Sequence, residues 1–228
     1  MYELFIANKN YSSWSLRPWL LMQELAIPFT ERMQHFLHEG TSASFRRFSP
    51  TGQVPCLHAG DFTVWDSLAI VEFLAERHGG VWPADPAARV WARCAAAEMH
   101  SGFGALRSTC GMNVGVRVRL HTVSPALQAD LSRLDALWNE GLTLFGGPFL
   151  AGRAFTAVDA FFAPVVFRLQ TYGLSVSPTA RAYAERVLAR PGMQRWQREA
   201  LAERVRDAAH EAELAGVGVV TQDLRAPV

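Results

Sequence analysis

The apolar pattern of this chain changes character once, close to residue 81. Before that point, short alternating runs that read as strands are interleaved with helical spacings. After it, only helical spacings recur. This predicts an N-terminal α/β unit followed by an all-helical one. Leu4 and Ile6 alternate with polar or small neighbours, a strand over 3–7. A polar turn at 8–13 leads into helical spacing through Leu16, Trp19, Leu20 and Leu25. Pro18 is expected in the first turn, where its missing N–H has no internal partner to lose. Residues 29–36 read as a second strand and 37–49 as a loop with a short helix. The runs 54–58 and 62–65 flank Ala59-Gly60-Asp61, a hairpin signature. Asp66 or Ser67 then caps a helix carrying Leu68, Val71, Phe73 and Leu74, which stops at Gly79-Gly80.

The predicted order over residues 1–80 is therefore β-α-β-α-β-β-α, a small mixed sheet with helices on its faces. Residues 81–88, with Pro83 and Pro86, read as a linker. Residues 89–228 read as a helical domain, with segments at 89–102, 126–144, 156–169, 179–188 and 193–203. The tail beyond about 205 has little periodicity and receives no assignment. Thr156-Ala157-Val158-Asp159 is a capping box ahead of the most apolar helix.

Composition narrows the function. The chain has 228 residues, half of them apolar, enough for a core without disulfides. The formal net charge is +1 and no long basic cluster occurs, which argues against nucleic acid or an anionic membrane as partner. The start, MYELFIANKN, lacks the basic residues and long apolar run of a signal peptide. The most apolar stretch, at 157–169, is too short to span a bilayer. Cys56, Cys94 and Cys110 are odd in number and widely spaced. They form neither a metal pattern nor a disulfide ladder, so a reducing, cytoplasmic setting and no metal are expected.

Three segments carry the chemistry: Tyr11-Ser12-Ser13-Trp14-Ser15 before a helix, Gln53-Val54-Pro55 before a strand, and Asp66-Ser67-Leu68 at a helix start. Alone, each is an ordinary cap or turn. Together, within one βαβαββα unit, they suit a peptide-like, anionic ligand bearing a thiol. A cis Pro55 would turn the Val54 backbone outward to pair with an extended peptide. The N–H groups at Ser67 would receive a carboxylate, and Asp66 an α-ammonium. A hydroxyl at Ser12 or Ser13 would donate to a sulfur above the first helix.

These segments resemble the cytosolic glutathione transferases, in which a thioredoxin-like domain precedes an all-helical one. Ser12-Ser13-Trp14-Ser15-Leu16-Arg17 is similar to the SSCSWR stretch of the zeta class, the maleylacetoacetate isomerases. Gln53-Val54-Pro55 matches that class's QVP, Ser67-Leu68-Ala69-Ile70 its SLAI, and Trp82-Pro83-Ala84-Asp85-Pro86 resembles its linker. Asp66 stands where zeta enzymes have Gln, and Trp14 replaces their cysteine.

The resemblance implies a glutathione transferase with glutathione as co-substrate and a small electrophile as partner. It implies Ser12 as thiol activator with Ser13 beside it, and glutathione contacts from Val54, Pro55, Asp66, Ser67 and His38, with Arg47 as a companion to His38. It implies a second-substrate pocket at Trp14, His100, Phe103 and Arg107, and a homodimer. The alternatives are a glutathione-dependent cis–trans isomerase of the maleylacetoacetate type and a non-catalytic binding protein on the same fold.

Overall fold

The computed structural model describes residues 1–36 and 40–228. Its first part runs β1 (Tyr2–Ile6), α1 (Ser13–Glu24), β2 (Phe29–Met33), α2 (Thr41–Phe45), β3 (Cys56–Ala59), β4 (Phe62–Trp65) and α3 (Ser67–Ala75). The sheet order is β2-β1-β3-β4. β1 and β2 are parallel, which α1 makes possible as the crossover. β3 runs antiparallel to β1, with Leu4 opposite Leu57, and forms a hairpin with β4 through Gly60 at φ +62°. Leu4, Ile6 and Leu57 are fully buried in one core with Leu16 and Leu20 of α1 and Ile70, Val71 and Leu74 of α3. The expected thioredoxin-like βαβαββα unit is present.

The second part contains α4 (Pro86–Ser101), α5 (Gly104–Thr109), α6 (Pro125–Leu144), α7 (Ala157–Tyr172), α8 (Pro178–Leu188), α9 (Pro191–Ala202) and α10 (Ala208–Val217). Helices α4, α6 and α8 each begin with proline after an Asp or Ser cap. Asp85, Ser124 and Ser177 accept the N–H groups of Ala88, Leu127 and Ala180. α7 is the central helix, buried at every position except Gln170 and packed on α1, α4 and α8. A helix apolar all round has to lie in the middle of a core. Its contact with α1 joins the two halves without a break in the hydrophobic cluster. Among the described residues no helix is long and apolar enough to cross a membrane.

Two local expectations are corrected. The region after residue 88 is not purely helical: β5 (Val116–Leu120) pairs antiparallel with β6 (Gly218–Asp223). Their alternation is short, and pairing partners about a hundred residues apart leave no local turn signal. Gly218 marks the closest approach, since a Cβ there would lie 2.5 Å from the Arg119 carbonyl oxygen. Pro18 lies inside α1 rather than in its first turn, because the helix already begins at Ser13. The Trp14 carbonyl therefore lacks its helical donor. The expected capping box at the start of α7 is present, with Asp159 accepting the Thr156 N–H at 2.9 Å.

Candidate active site

A cleft of about 1010 Å³ opens between the sheet domain and the helices, large enough for a tripeptide and a second small molecule. Its lining includes Ser12, Ser13, Trp14, Val54, Pro55, Asp66, Ser67 and Arg107. Eight of the residues singled out in the sequence thus converge on one cavity.

The serine loop forms the floor. Tyr11 and Ser12 N–H groups both donate to the Asn8 carbonyl, at 3.0 and 2.9 Å, closing a tight turn before α1. Ser12 and Ser13 are nearly buried at the helix N-terminus. The Ser12 hydroxyl donates to Ser15 Oγ at 2.7 Å, while the Ser13 hydroxyl has no hydrogen bond among the described residues. The four leading N–H groups of α1 point toward this end, so the floor favours an anion.

The sheet side supplies the other two elements. The Val54–Pro55 peptide bond is cis, the condition under which the Val54 backbone turns outward. Neither the N–H nor the carbonyl of Val54 bonds to any described residue, which leaves one peptide edge open on the cleft. The approach to it is fixed by Gly52 at φ +68°, where a Cβ would meet Ser42 Oγ at 2.6 Å. Asp66, not Ser67, is the cap of α3: its Oδ1 accepts the N–H groups of Leu68 at 2.7 Å and Ala69 at 3.4 Å. Asp66 holds φ +73°, a left-handed conformation that costs a non-glycine residue about 1–2 kcal/mol. Ser67 is fully buried beside it.

The helical side is cationic. Arg107 of α5 and Arg168 of α7 line the cleft. Arg17 lies beneath, with its guanidinium 4.2 Å from the Trp14 ring centroid and 4.9 Å from that of Phe161. His100 sits edge-on to Trp14 at 5.1 Å and places Nε2 3.5 Å from Asp66 Oδ2. Burial holds the imidazole below its usual range; Asp66 opposes this, and Arg17 and Arg107 add to it. Phe103, expected in this pocket, instead packs edge-on to Phe162 at 6.4 Å within the core. His38 lies outside the described residues. Arg47 bonds back to Ser44 on the surface and is not part of the lining. Cys56 is buried beside the site, and burial pushes its thiol up to about 11, which removes it as a nucleophile.

Sequence reasoning missed the contribution of the C-terminal segment. Glu203 accepts the N–H groups of Lys9 at 2.6 Å and Asn10 at 3.2 Å, and Trp196 donates to the Lys9 carbonyl at 2.8 Å. Lys9 is buried between the Trp19 and Trp196 rings and paired with Glu31 and Glu199. Helix α10 adds His210, stacked between Tyr11 at 4.9 Å and Phe36 at 5.1 Å, its Nδ1 held 2.6 Å from Asp207. The Tyr11 hydroxyl donates to Glu211 at 2.7 Å. The serine loop is thus braced from outside by residues almost two hundred positions away. A local pattern could not reveal such contacts, although Asp207 as the cap of α10 was a readable signal.

The chain is similar to known proteins in sequence and fold. The family profile "Glutathione S-transferase, N-terminal domain" matches residues 11–77, and "Glutathione S-transferase, C-terminal domain" matches 95–196. Glutathione S-transferase GstB of Escherichia coli strain K12 is 26% identical over 217 residues, 84% of this chain and 90% of that one. A dichloromethane dehalogenase of Methylorubrum extorquens is 41% identical over 61 residues, but the match spans only 26% of this chain and 21% of that protein. A probable maleylacetoacetate isomerase of Caenorhabditis elegans is 24% identical over 179 residues, 75% of this chain and 79% of that one. Among solved structures, a Burkholderia glutathione transferase homolog with bound glutathione shares the fold at TM-score 0.65 and 24% identity, covering 87% of this chain and 97% of that one. The two family profiles together account for well over half of the sequence, and the chain belongs to the glutathione S-transferase family.

Proposed function

We propose that this protein is a glutathione transferase that binds glutathione along the sheet side of the cleft and activates its thiol through Ser12. The observation that carries this is the convergence of three polar elements on one cavity: serine hydroxyls at the start of α1, the open peptide edge of Val54, and the N-terminus of α3. In this reading Val54 pairs with the cysteinyl unit and Pro55 shapes that edge. Ser67, through its hydroxyl and its N–H, takes the γ-glutamyl carboxylate, Asp66 takes its ammonium, and His38 is assigned to the glycine carboxylate. Residues 1–80 hold glutathione, 81–88 link, and 89–228 supply the wall for the electrophile. A cytoplasmic homodimer belongs to the same reading.

The energetics fit a serine. A free thiol has a pKa of about 8.5, and lowering it by ~1.5 units needs ~2 kcal/mol. A charge-assisted hydrogen bond supplies about 1.5–3 kcal/mol, and the helix terminus about 0.3–1 more. No general base is required. The proton passes to solvent, and the thiolate forms a new S–C bond with the electrophile.

The spectral test is titration of bound glutathione by thiolate ultraviolet absorbance. Its thiol should ionise about 1–2 units below the free value; ionisation at the free value would remove the activation step. A second reading is the glutathione-dependent cis–trans isomerisation of a maleyl compound. The resemblance of residues 12–17 to the zeta motif and the nematode relative favour it. Isomerisation of a maleyl analogue without a stable conjugate would select it.

A further inference from the structure

The helical wall of the cleft carries more positive charge than its neighbours balance. Arg168 is 5% exposed and uses Nε to donate to the Cys110 carbonyl at 2.7 Å; its other nitrogens have no partner among the described residues. Arg107 gives Nη1 to the carbonyls of His100 at 3.0 Å and Gly102 at 3.3 Å. Arg17 is 2% exposed, reaches Ser67 Oγ only at 3.4 Å, and has a buried Nε with no partner. None of the three lies within 4.0 Å of a described carboxylate, whereas Arg190, Arg225 and Lys9, also partly or wholly buried, are all paired.

An unpaired buried cation is costly, and a guanidinium does not escape the cost by losing its proton at neutral pH. Burial, with Arg168 and Arg107 close by, brings Arg17 down only to about 9. Burial together with Arg107 brings Arg168 down to about 10. Both stay charged at neutral pH. Among the described residues two carboxylates line the cleft and neither forms an ion pair with these guanidiniums: Asp66 caps α3 and acts on Arg17 only at longer range, and Glu213 is exposed. The fork of a guanidinium matches the paired oxygens of a carboxylate, as it does those of a phosphate. The planar Trp14 ring beside Arg107, at 5.1 Å, offers an apolar surface for the rest of such a molecule.

We propose that this wall is an anion subsite and that the electrophile carries a carboxylate, held by Arg107 and Arg168 while its reactive carbon faces the glutathione sulfur. The proposal rests on the transferase reading. With a chloromethyl substrate, the thiolate donates its electron pair to carbon, the S–C bond forms as the C–Cl bond breaks, and chloride leaves with that bonding pair. The carboxylate takes no part in the bond changes.

The experiment compares 4-(chloromethyl)benzoate with its methyl ester, each kcat/KM divided by the uncatalysed rate with glutathione. The wild type should favour the carboxylate by about tenfold or more, as one charge-assisted contact implies. Arg107→Gln should bring the ratio close to one, and Arg107→Lys should keep part of it. A wild-type ratio at or below one overturns the proposal. So does an Arg107→Gln variant that raises the glutathione KM and leaves the ratio intact, which would assign the guanidinium to glutathione. If neither probe turns over, calorimetry separates the causes. Bound glutathione overturns the anion subsite alone, and its absence overturns the transferase reading beneath it as well.

Discussion

Replacing Asp159 by Ala should destabilise the protein by about 3–5 kcal/mol, the range expected when several buried donors lose one acceptor. Asp159 is fully buried at the start of α7. Its Oδ1 accepts the Leu150 N–H at 3.1 Å and the Tyr183 hydroxyl at 3.0 Å, and its Oδ2 accepts the Thr156 N–H at 2.9 Å. The substitution leaves all three donors without a partner in the core. Urea unfolding checks it: the midpoint should fall with an unchanged slope.

The pH dependence has a definite sign. Burial raises the Asp159 carboxyl from 3.8 to about 6, against the opposing bonds from Thr156, Leu150 and Tyr183. Between those values the folded state holds the proton more tightly than the unfolded chain. The stability contributed by this group is therefore full below about pH 4 and declines as pH rises through about 6. The margin of wild type over Asp159→Ala should narrow across that window. The loss matters for function because α7 carries Phe161 and Arg168 beneath the cleft, and the Ala157 N–H ties it to the Val81 carbonyl at 2.8 Å.

Ser12→Ala should lower turnover of a generic electrophile by about 10–150-fold, the rate equivalent of losing about 1.5–3 kcal/mol of charge-assisted hydrogen bonding. Affinity for glutathione should change far less, because the peptide edge of Val54 and the α3 terminus stay in place. Ser13→Ala is expected to have the smaller effect. Steady-state kinetics of the two variants decide between the serines. In the structure Ser12 gives its hydrogen to Ser15, so the hydroxyl has to turn to reach sulfur. The Ser13 hydroxyl has no hydrogen bond among the described residues. Unchanged turnover in Ser12→Ala with a large loss in Ser13→Ala would move the role by one residue.

The legible parts of the fold were those written in local pattern. The strand alternation at Leu4 and Ile6, the hairpin around Gly60 and the cap ahead of α3 at Asp66 all depend on residues a few positions apart. The cleft's sheet side was legible for the same reason, since Ser12, Val54 and Asp66 sit at element ends where turn chemistry is explicit. Contacts between distant segments were not. β5 pairs with β6 across about a hundred residues, and Glu203 braces Lys9 across 194. Phe103 and Arg107 share one short helical segment, yet Phe103 turns into the core against Phe162 while Arg107 faces the cleft. The family resemblance placed both in the pocket. Arg168 was hidden in the opposite way, because it lies in the most apolar helix and looked like an interruption of it.

Titration calorimetry with glutathione alone tests the central claim most directly. The account predicts saturable binding of one glutathione per chain, weakened by Asp66→Ala through loss of the ammonium partner and the α3 cap. Absence of a binding heat across a range of temperatures, with the protein folded, would contradict it.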